Sequence, residues 1–489
     1  MPGTGHGDVR SLKSFTNADA AVAHITRIYE KGARIVRERF KRFAAGERQQ
    51  EPFDAYYPYL GMEVGHGELQ TDSRPAYGTL PGAGIYGATV TRPDLFGDYY
   101  KEQIELLLEH HDVPVAVGIS ARQIPLPFVI EHATADITSD DVRDMQKVFH
   151  LPDLSRIDDS VANGVYKPAP GEPYPLALFS ASRVDLGLMR LQHYTATHPE
   201  HFQRFVLFTN YQRYVDEFLD YGRREVASGD EYLALVEPGD VVTPNPRLSD
   251  AEPGGTPIEH LPQMPAYHLV RGDRLGITLV NIGVGPSNAR TITDHLAVLR
   301  PHCWLMVGHC GGLRRSQLLG DYVLAHAYIR EDHVLDQDLP LWVPVPPIAE
   351  VQVALQEAVA RVTGLHGQDL KTRMRTGTVA STDNRNWELR YAELSERFNQ
   401  SRAVAIDMES AAIAANGFRL RVPYGTLLCV SDKPMHGEIK LRGMANAFYR
   451  ERINQHLKIG LETVRILREQ GVDQLHSRKL RSLHEPPFR

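Results

Sequence analysis

The chain predicts an α/β protein of two domains: a larger three-layer α/β/α domain at residues 181–489, with a mixed, largely parallel sheet, and a smaller α+β domain at residues 1–180. Three observations lead there. First, 489 residues exceed what one ordinary core accommodates. Second, the proline-dense stretch VYKPAPGEPYP, Val165 to Pro175, reads as a linker or extended arm, because proline there opposes regular structure. Third, beyond about Ala181 short apolar runs alternate with helical segments, the pattern of a largely parallel sheet covered on both faces.

In the first domain, Val22, Ile25, Tyr29, Val36, Phe40 and Phe43 recur at near-helical spacing and predict an amphipathic helix from Asp19 to Phe43. Tyr99 to His110 is the next helix candidate. In the second domain, the expected strands are residues 205–208, 277–282, 304–308, 322–329, 403–406 and 426–431. The expected helices are Tyr211 to Tyr221, Ser287 to Leu299, Ile348 to Val362 and Met408 to Asn416. The polar stretch from Gly239 to Pro262, with its prolines and glycines, reads as a surface insertion.

Apolar residues make up 42% of the chain and charged residues 24%, which supports buried cores and argues against extensive disorder. A formal charge of −7 offers no general attraction to nucleic acid or to anionic membrane. Three cysteines, Cys303, Cys310 and Cys429, do not make a secreted disulfide framework. The opening MPGTGHGDVRSLKS lacks an apolar signal core, and no run reaches the roughly 18–20 apolar residues of a membrane span. The expected location is cytoplasmic.

Two glycine-rich turns stand at strand ends. In NIGVGPSN, Gly283 and Gly285 follow a strand and Pro286 opens a helix, so backbone can approach a ligand at a helix N-terminus. A dinucleotide fingerprint would need glycine where Asn288 stands, and a plain tight turn is the competing reading. In VGHCGGL, Gly308, Gly311 and Gly312 surround His309 and Cys310 and leave room for ligand in the crevice at a carboxyl strand end. No second His/Cys pair with ligand spacing follows, so metal is not expected. In AIDMESAAIA, Asp407 suits an N-cap and Glu409 a first helical turn.

The order GVG, GHCGGL, TGTVASTD, DMESAA, VSD resembles the purine nucleoside phosphorylase and uridine phosphorylase superfamily. Across nearly the whole chain, FVLFTNYQRYVDEF, WLMVGHCGGLR, TDNRNWELRY, RVPYGTLLCVSDKP, TRPDLF and the tail HSRKL to EPPFR are similar to the bacterial AMP nucleosidase family. That resemblance implies a nucleoside-phosphorylase-like domain that hydrolyses AMP to adenine and ribose 5-phosphate. It implies no cofactor for the chemistry, MgATP as activator, phosphate as inhibitor, a regulatory first domain and a homo-oligomer, a hexamer. Phosphorolysis of a nucleoside and a catalytically silent nucleotide sensor are the competing readings.

The same resemblance implies residue roles. Glu409 corresponds to the glutamate that holds the ribose hydroxyls, with Met408 packed on the sugar. Asp432 corresponds to the aspartate at purine N7 and would act as general acid. Arg213 lies where these phosphorylases place a phosphate-binding arginine, although Thr209 replaces the usual glycine before it. The phosphorylase arginine and serine align with Met306 and His309, which favours water over phosphate as nucleophile. Arg213, Lys433 and Lys440 would hold the 5′-phosphate, and Arg385 or Trp387 would cover the base. In the first domain Arg92 and Arg183 either meet a phosphate or sit in salt bridges.

Overall fold

The computed structural model describes residues 6–48, 51–69, 75–130, 139–437, 446–475 and 480–489, in two compact units. One comprises residues 1–189 with Arg481–Arg489, and the other Arg190–Leu480.

The first unit is built on five strands: β1 (Arg10–Phe15), β2 (Tyr56–Val64), β3 (Gly84–Thr89), β4 (Val115–Gln123) and β5 (Tyr174–Pro175), in the order β1-β4-β2-β3-β5. All pairs are antiparallel except β3–β5. Helix α1 (Ala18–Ala44) forms where the apolar spacing predicts it, and Asn17 caps it by accepting the Ala20 N–H at 2.9 Å. Its buried stripe, Tyr29, Val36, Phe40 and Phe43, packs on Tyr57, Ile124 and Phe149. Burying that stripe holds the helix on the sheet more firmly than helix propensity could. Helices α2 (Pro93–His111) and α3 (Ser139–Val148) follow, and α4 (Ala181–Thr195) carries the chain into the second unit. Arg92 pairs with Asp94 at 2.8 Å and Arg183 with Asp159 at 2.8 Å, so both arginines sit in salt bridges.

Sequence order alone places the tail with the second domain, but its last nine residues group with the first unit. Hydrogen bonds explain the return. The Phe488 N–H donates to the Leu176 carbonyl at 3.1 Å, the Arg489 N–H to Gln103 Oε1 at 2.8 Å, and the Tyr99 hydroxyl to the Arg489 carbonyl at 2.8 Å.

The second unit holds a ten-stranded sheet. Its strands are β6 (Phe205–Thr209), β7 (Ala234–Glu237), β8 (Val241–Pro244), β9 (Ala266–Val270), β10 (Ile277–Asn281), β11 (Cys303–Gly312), β12 (Tyr322–Glu331), β13 (Met374–Thr382), β14 (Ala405–Asp407) and β15 (Tyr424–Asp432). The order is β14-β13-β12-β15-β11-β6-β10-β9-β7-β8, and a further β14–β11 pairing closes five of these strands into a ring. The sheet is mixed. Strands β10, β6, β11 and β15 run parallel, as do β12, β13 and β14, whereas β12–β15, β11–β14, β9–β10, β7–β9 and β7–β8 are antiparallel. Strands β7, β8 and β9 are not among the expected ones, and β8 lies inside the stretch expected to be a surface insertion.

Seven helices complete this unit among the described residues: α5 (Gln212–Ser228), α6 (Pro286–Leu296), α7 (Ala349–Thr363), α8 (Gly367–Arg373), α9 (Tyr391–Ser401), α10 (Ser410–Leu420) and α11 (Asn446–Gln470). Helix α11 packs against α5 and α7, and α10 packs against α6. The fold is the nucleoside-phosphorylase type, with a separate smaller N-terminal domain. Among the described residues no helix is long and apolar enough to cross a membrane.

Candidate active site

The parallel arrangement of β6, β10, β11 and β15 brings their carboxyl ends to one side, where an open α/β sheet leaves a crevice. A cleft of about 270 Å³ opens there. It is lined by Asn210 and Tyr211 after β6, Val284 after β10, the His309–Gly311 segment of β11, Thr382 at the end of β13 with Arg385, Trp387 and Glu388 beyond it, Ile406 to Glu409, and Ser431 and Asp432 of β15. Small residues make this possible: a Cβ on Gly311 would stand 3.1 Å from Ile406 Cγ2.

Glu409 is 1% exposed. It occupies the N-cap of α10, because this helix begins two residues later than the sequence pattern suggests. Asp407 is what stops the helix from starting earlier. One carboxylate oxygen accepts the Ser410 N–H at 2.9 Å and the Ser410 hydroxyl, and the other accepts the Ser381 hydroxyl at 2.5 Å. Glu409 is thereby free to turn into the cleft. Its Oε1 accepts the Gly285 N–H at 2.6 Å and its Oε2 the Asn210 side-chain amide at 3.0 Å. A carboxylate has about four acceptor sites, so these two bonds orient it and leave capacity for hydroxyl groups.

Gly285 is required by its backbone. Its φ of +124° is a conformation open to glycine, and a Cβ there would meet nothing within 4 Å, so shape rather than space excludes other residues. Burial, followed by the charge of Asp407, pushes the Glu409 carboxyl well above its ordinary value, while the Gly285 and Asn210 bonds oppose that rise. Burial also raises Asp407, against the bonds from Ser381 and Ser410. Asp332, just beyond β12, is raised to about 6, by burial first and with Asp407 adding to it. Its Oδ2 is buried with no hydrogen-bond partner among the described residues.

Asp432 ends β15, partly exposed, and its Oδ1 accepts the Ser431 hydroxyl at 2.6 Å. It stands opposite Gly311 in the β11–β15 register, so two strand ends present Asp432 and Glu409 to the same cleft. The lining carries four acids, Glu388, Asp407, Glu409 and Asp432, against one cation, Arg385. The acids of this lining that are ionised favour a cation developing inside it.

Of the residues singled out from sequence, His309, Gly311, Arg385, Trp387, Met408, Glu409 and Asp432 line the cleft together. Trp387 is 6% exposed and packs edge-to-face on Phe398 in a core cluster with Leu394, whereas Arg385 is exposed at the cleft. Other residues lie off the lining. Thr209 is buried at the end of β6, where its carbonyl accepts the Ile282 N–H at 2.8 Å. Arg213 is exposed on the first turn of α5. Gly283, at φ +65°, supports the turn beside Val284. Lys433 is 3% exposed, its aliphatic stem placed where a Cβ on Gly312 would meet it. Lys440 lies outside the described residues. Sequence reasoning passed over Asn210 and Asp407 as parts of the site. Asn210 carried a usable signal, since it lies two residues past the predicted strand end at 208.

The family described as bacterial AMP nucleoside phosphorylase N-terminus matches residues 20–173, and the phosphorylase superfamily matches residues 237–464. AMP nucleosidases of two Escherichia coli strains are each 52% identical over 440 residues, covering 88% of this chain and 89% of theirs. The solved AMP nucleosidase of Bacteroides thetaiotaomicron is 28% identical over 59% of this chain and 98% of that one, with a TM-score of 0.43. On identity at this level across both domains, the chain belongs to the AMP nucleosidase family.

Proposed function

We propose that the cleft hydrolyses the N-glycosidic bond of AMP, releasing adenine and ribose 5-phosphate, with Asp432 as general acid and Glu409 as the ribose-holding carboxylate. The observation that carries the residue roles is that both acids line one cleft. Cleavage leaves positive charge on the sugar and negative charge on the purine. Glu409, oriented by Gly285 and Asn210, accepts the ribose hydroxyls and stabilises the cationic sugar, and Met408 packs against it. Asp432 delivers a proton to the purine as the bond to C1′ breaks. The purine is covered from the Arg385 and Trp387 segment, with Arg385 the group exposed to it and Trp387 mainly a core residue.

Water rather than inorganic phosphate is the nucleophile. The fully buried Met306 at the position where the related phosphorylases carry arginine supports this. By resemblance, the 5′-phosphate is assigned to Arg213, Lys433 and Lys440, of which Arg213 and Lys433 lie off the cleft lining and Lys440 lies outside the described residues. The chemistry needs no metal or organic cofactor. MgATP activation and phosphate inhibition through the first domain, a homo-oligomeric (hexameric) assembly and a cytoplasmic location belong to this proposal by family membership.

The test offers AMP and adenosine to the enzyme, each with and without inorganic phosphate, and identifies the sugar product. Ribose 5-phosphate from AMP, formed without phosphate, is expected. A phosphate-dependent sugar 1-phosphate would identify a phosphorylase instead, and nucleotide binding without adenine release would identify a sensor.

A further inference from the structure

A chain of buried hydrogen bonds leads from the back of the sheet to the cleft. His456 on α11 and Tyr214 on α5 are both fully buried. His456 Nε2 lies 3.0 Å from the Leu427 carbonyl oxygen, which can only accept, so Nε2 carries the proton. Burial pushes the His456 imidazole down to about 3, which keeps it neutral and makes Nδ1 an acceptor. The Tyr214 hydroxyl stands 2.7 Å from that Nδ1 and must donate to it. The tyrosine oxygen is then left as acceptor toward His309 Nε2, at 3.5 Å. Catalytic hydrogen bonds are often this long before substrate binds. The chain therefore sets His309 as the Nε2–H tautomer, with Nδ1 as its basic nitrogen. The edge of the Tyr211 ring, with centroids 4.9 Å apart, steadies the imidazole, part of the cleft wall with Glu409 and Asp432, whose Nδ1 is buried within that wall, so the attacking water must enter the wall to reach it.

We propose that His309 is the catalytic base of the hydrolysis, taking the proton of the attacking water, and that Tyr214 and His456 are positioning residues that select its basic tautomer. This rests on the hydrolytic reading above. The water oxygen forms the new bond to C1′ while the C1′–N9 bond breaks, and its electron pair leaves with the purine. Asp432 gives a proton to the purine and His309 Nδ1 receives one from the water. Solvent returns the proton from imidazolium to the Asp432 carboxylate, so the net change is AMP plus water to adenine plus ribose 5-phosphate. The other titratable groups facing this path are Asp407, Glu388 and Arg385 in the cleft, and Cys310, Cys429 and Tyr322 around Tyr214.

The experiment compares wild type, His309→Ala, His309→Gln and Tyr214→Phe in adenine release from AMP. Binding of a C-nucleotide analogue of AMP, whose base is joined by an uncleavable carbon–carbon bond, reports an intact site. Both His309 variants should lose about 10²–10³-fold in kcat with KM within about threefold. Free imidazole should restore part of the His309→Ala rate in proportion to its neutral form. Tyr214→Phe should lose about tenfold in kcat and shift the pH profile. The proposal is overturned if kcat stays within about threefold, if the loss is confined to KM, or if imidazole has no effect on an alanine variant that still binds the analogue. If the His309 variants fail to bind the analogue, Tyr214→Phe decides, and an unchanged pH profile overturns the proposal. Wild-type enzyme that releases no adenine from AMP in phosphate-free water would instead remove the hydrolytic reading itself.

Discussion

At the scale of single residues, Asp432 and Glu409 are asked for different things, and their variants should fail differently. On the proposed mechanism Asp432 acts only as the bond breaks, so Asp432→Asn should lower kcat by about 10²–10⁴-fold and leave binding of an AMP C-nucleotide nearly unchanged. Steady-state kinetics beside calorimetric binding would check this, and a variant turning over at the wild-type rate would remove Asp432 from the acid role. On the same proposal Glu409 meets the ribose before and during cleavage, so Glu409→Gln should damage both terms. A fall of about 10²-fold in kcat/KM is expected, shared between kcat and KM. Undisturbed kinetics would mean that the ribose sits elsewhere. Neither residue's surroundings could be read from sequence. The Gly285 and Asn210 bonds to Glu409 join positions 124 and 199 residues away, and such long-range pairing leaves no local pattern.

At the scale of elements, the turn between β10 and α6 works as a device for aiming one N–H. Gly285→Ala must hold φ near +124° or move, at a cost of about 1–3 kcal/mol, and either way the bond to Glu409 Oε1 weakens. The expected result is a lower melting temperature together with a raised KM for AMP. A variant with both values unchanged would show that the turn only connects strand to helix. The glycine spacing of this turn was legible, because its chemistry is local. So were α1 and strands β6, β10, β11, β12 and β15, since apolar periodicity over a long run survives without tertiary context. The antiparallel set β9-β7-β8 was not. Its strands run only four or five residues among prolines and glycines, and their identity comes from pairing with one another and with β10. The start of α10 was misplaced for a similar reason, since the bonds that delay it run from Ser381, 26 positions away, as well as from Ser410.

At the scale of the whole molecule, the acids grouped behind the cleft give stability a pH dependence. The Asp332 carboxyl is raised from 3.8 to about 6 by burial, so between those values the folded chain holds a proton that the unfolded chain has released. The contribution of this group to stability therefore falls as pH rises from about 4 to about 6 and levels off above, by about 2–3 kcal/mol at most. Asp332→Asn should remove that contribution. Its melting temperature, relative to wild type, should climb between pH 4 and pH 6.5, and a difference independent of pH would refute the assignment. The proposed function at this scale is the convergence of two strand ends on one nucleotide. A crystal structure of the full chain with the C-nucleotide analogue of AMP tests that most directly. The account predicts Glu409 within hydrogen-bond distance of the ribose 2′- or 3′-hydroxyl and Asp432 within the same reach of purine N7. A nucleotide bound in another cavity, or with either carboxylate out of reach, would contradict it.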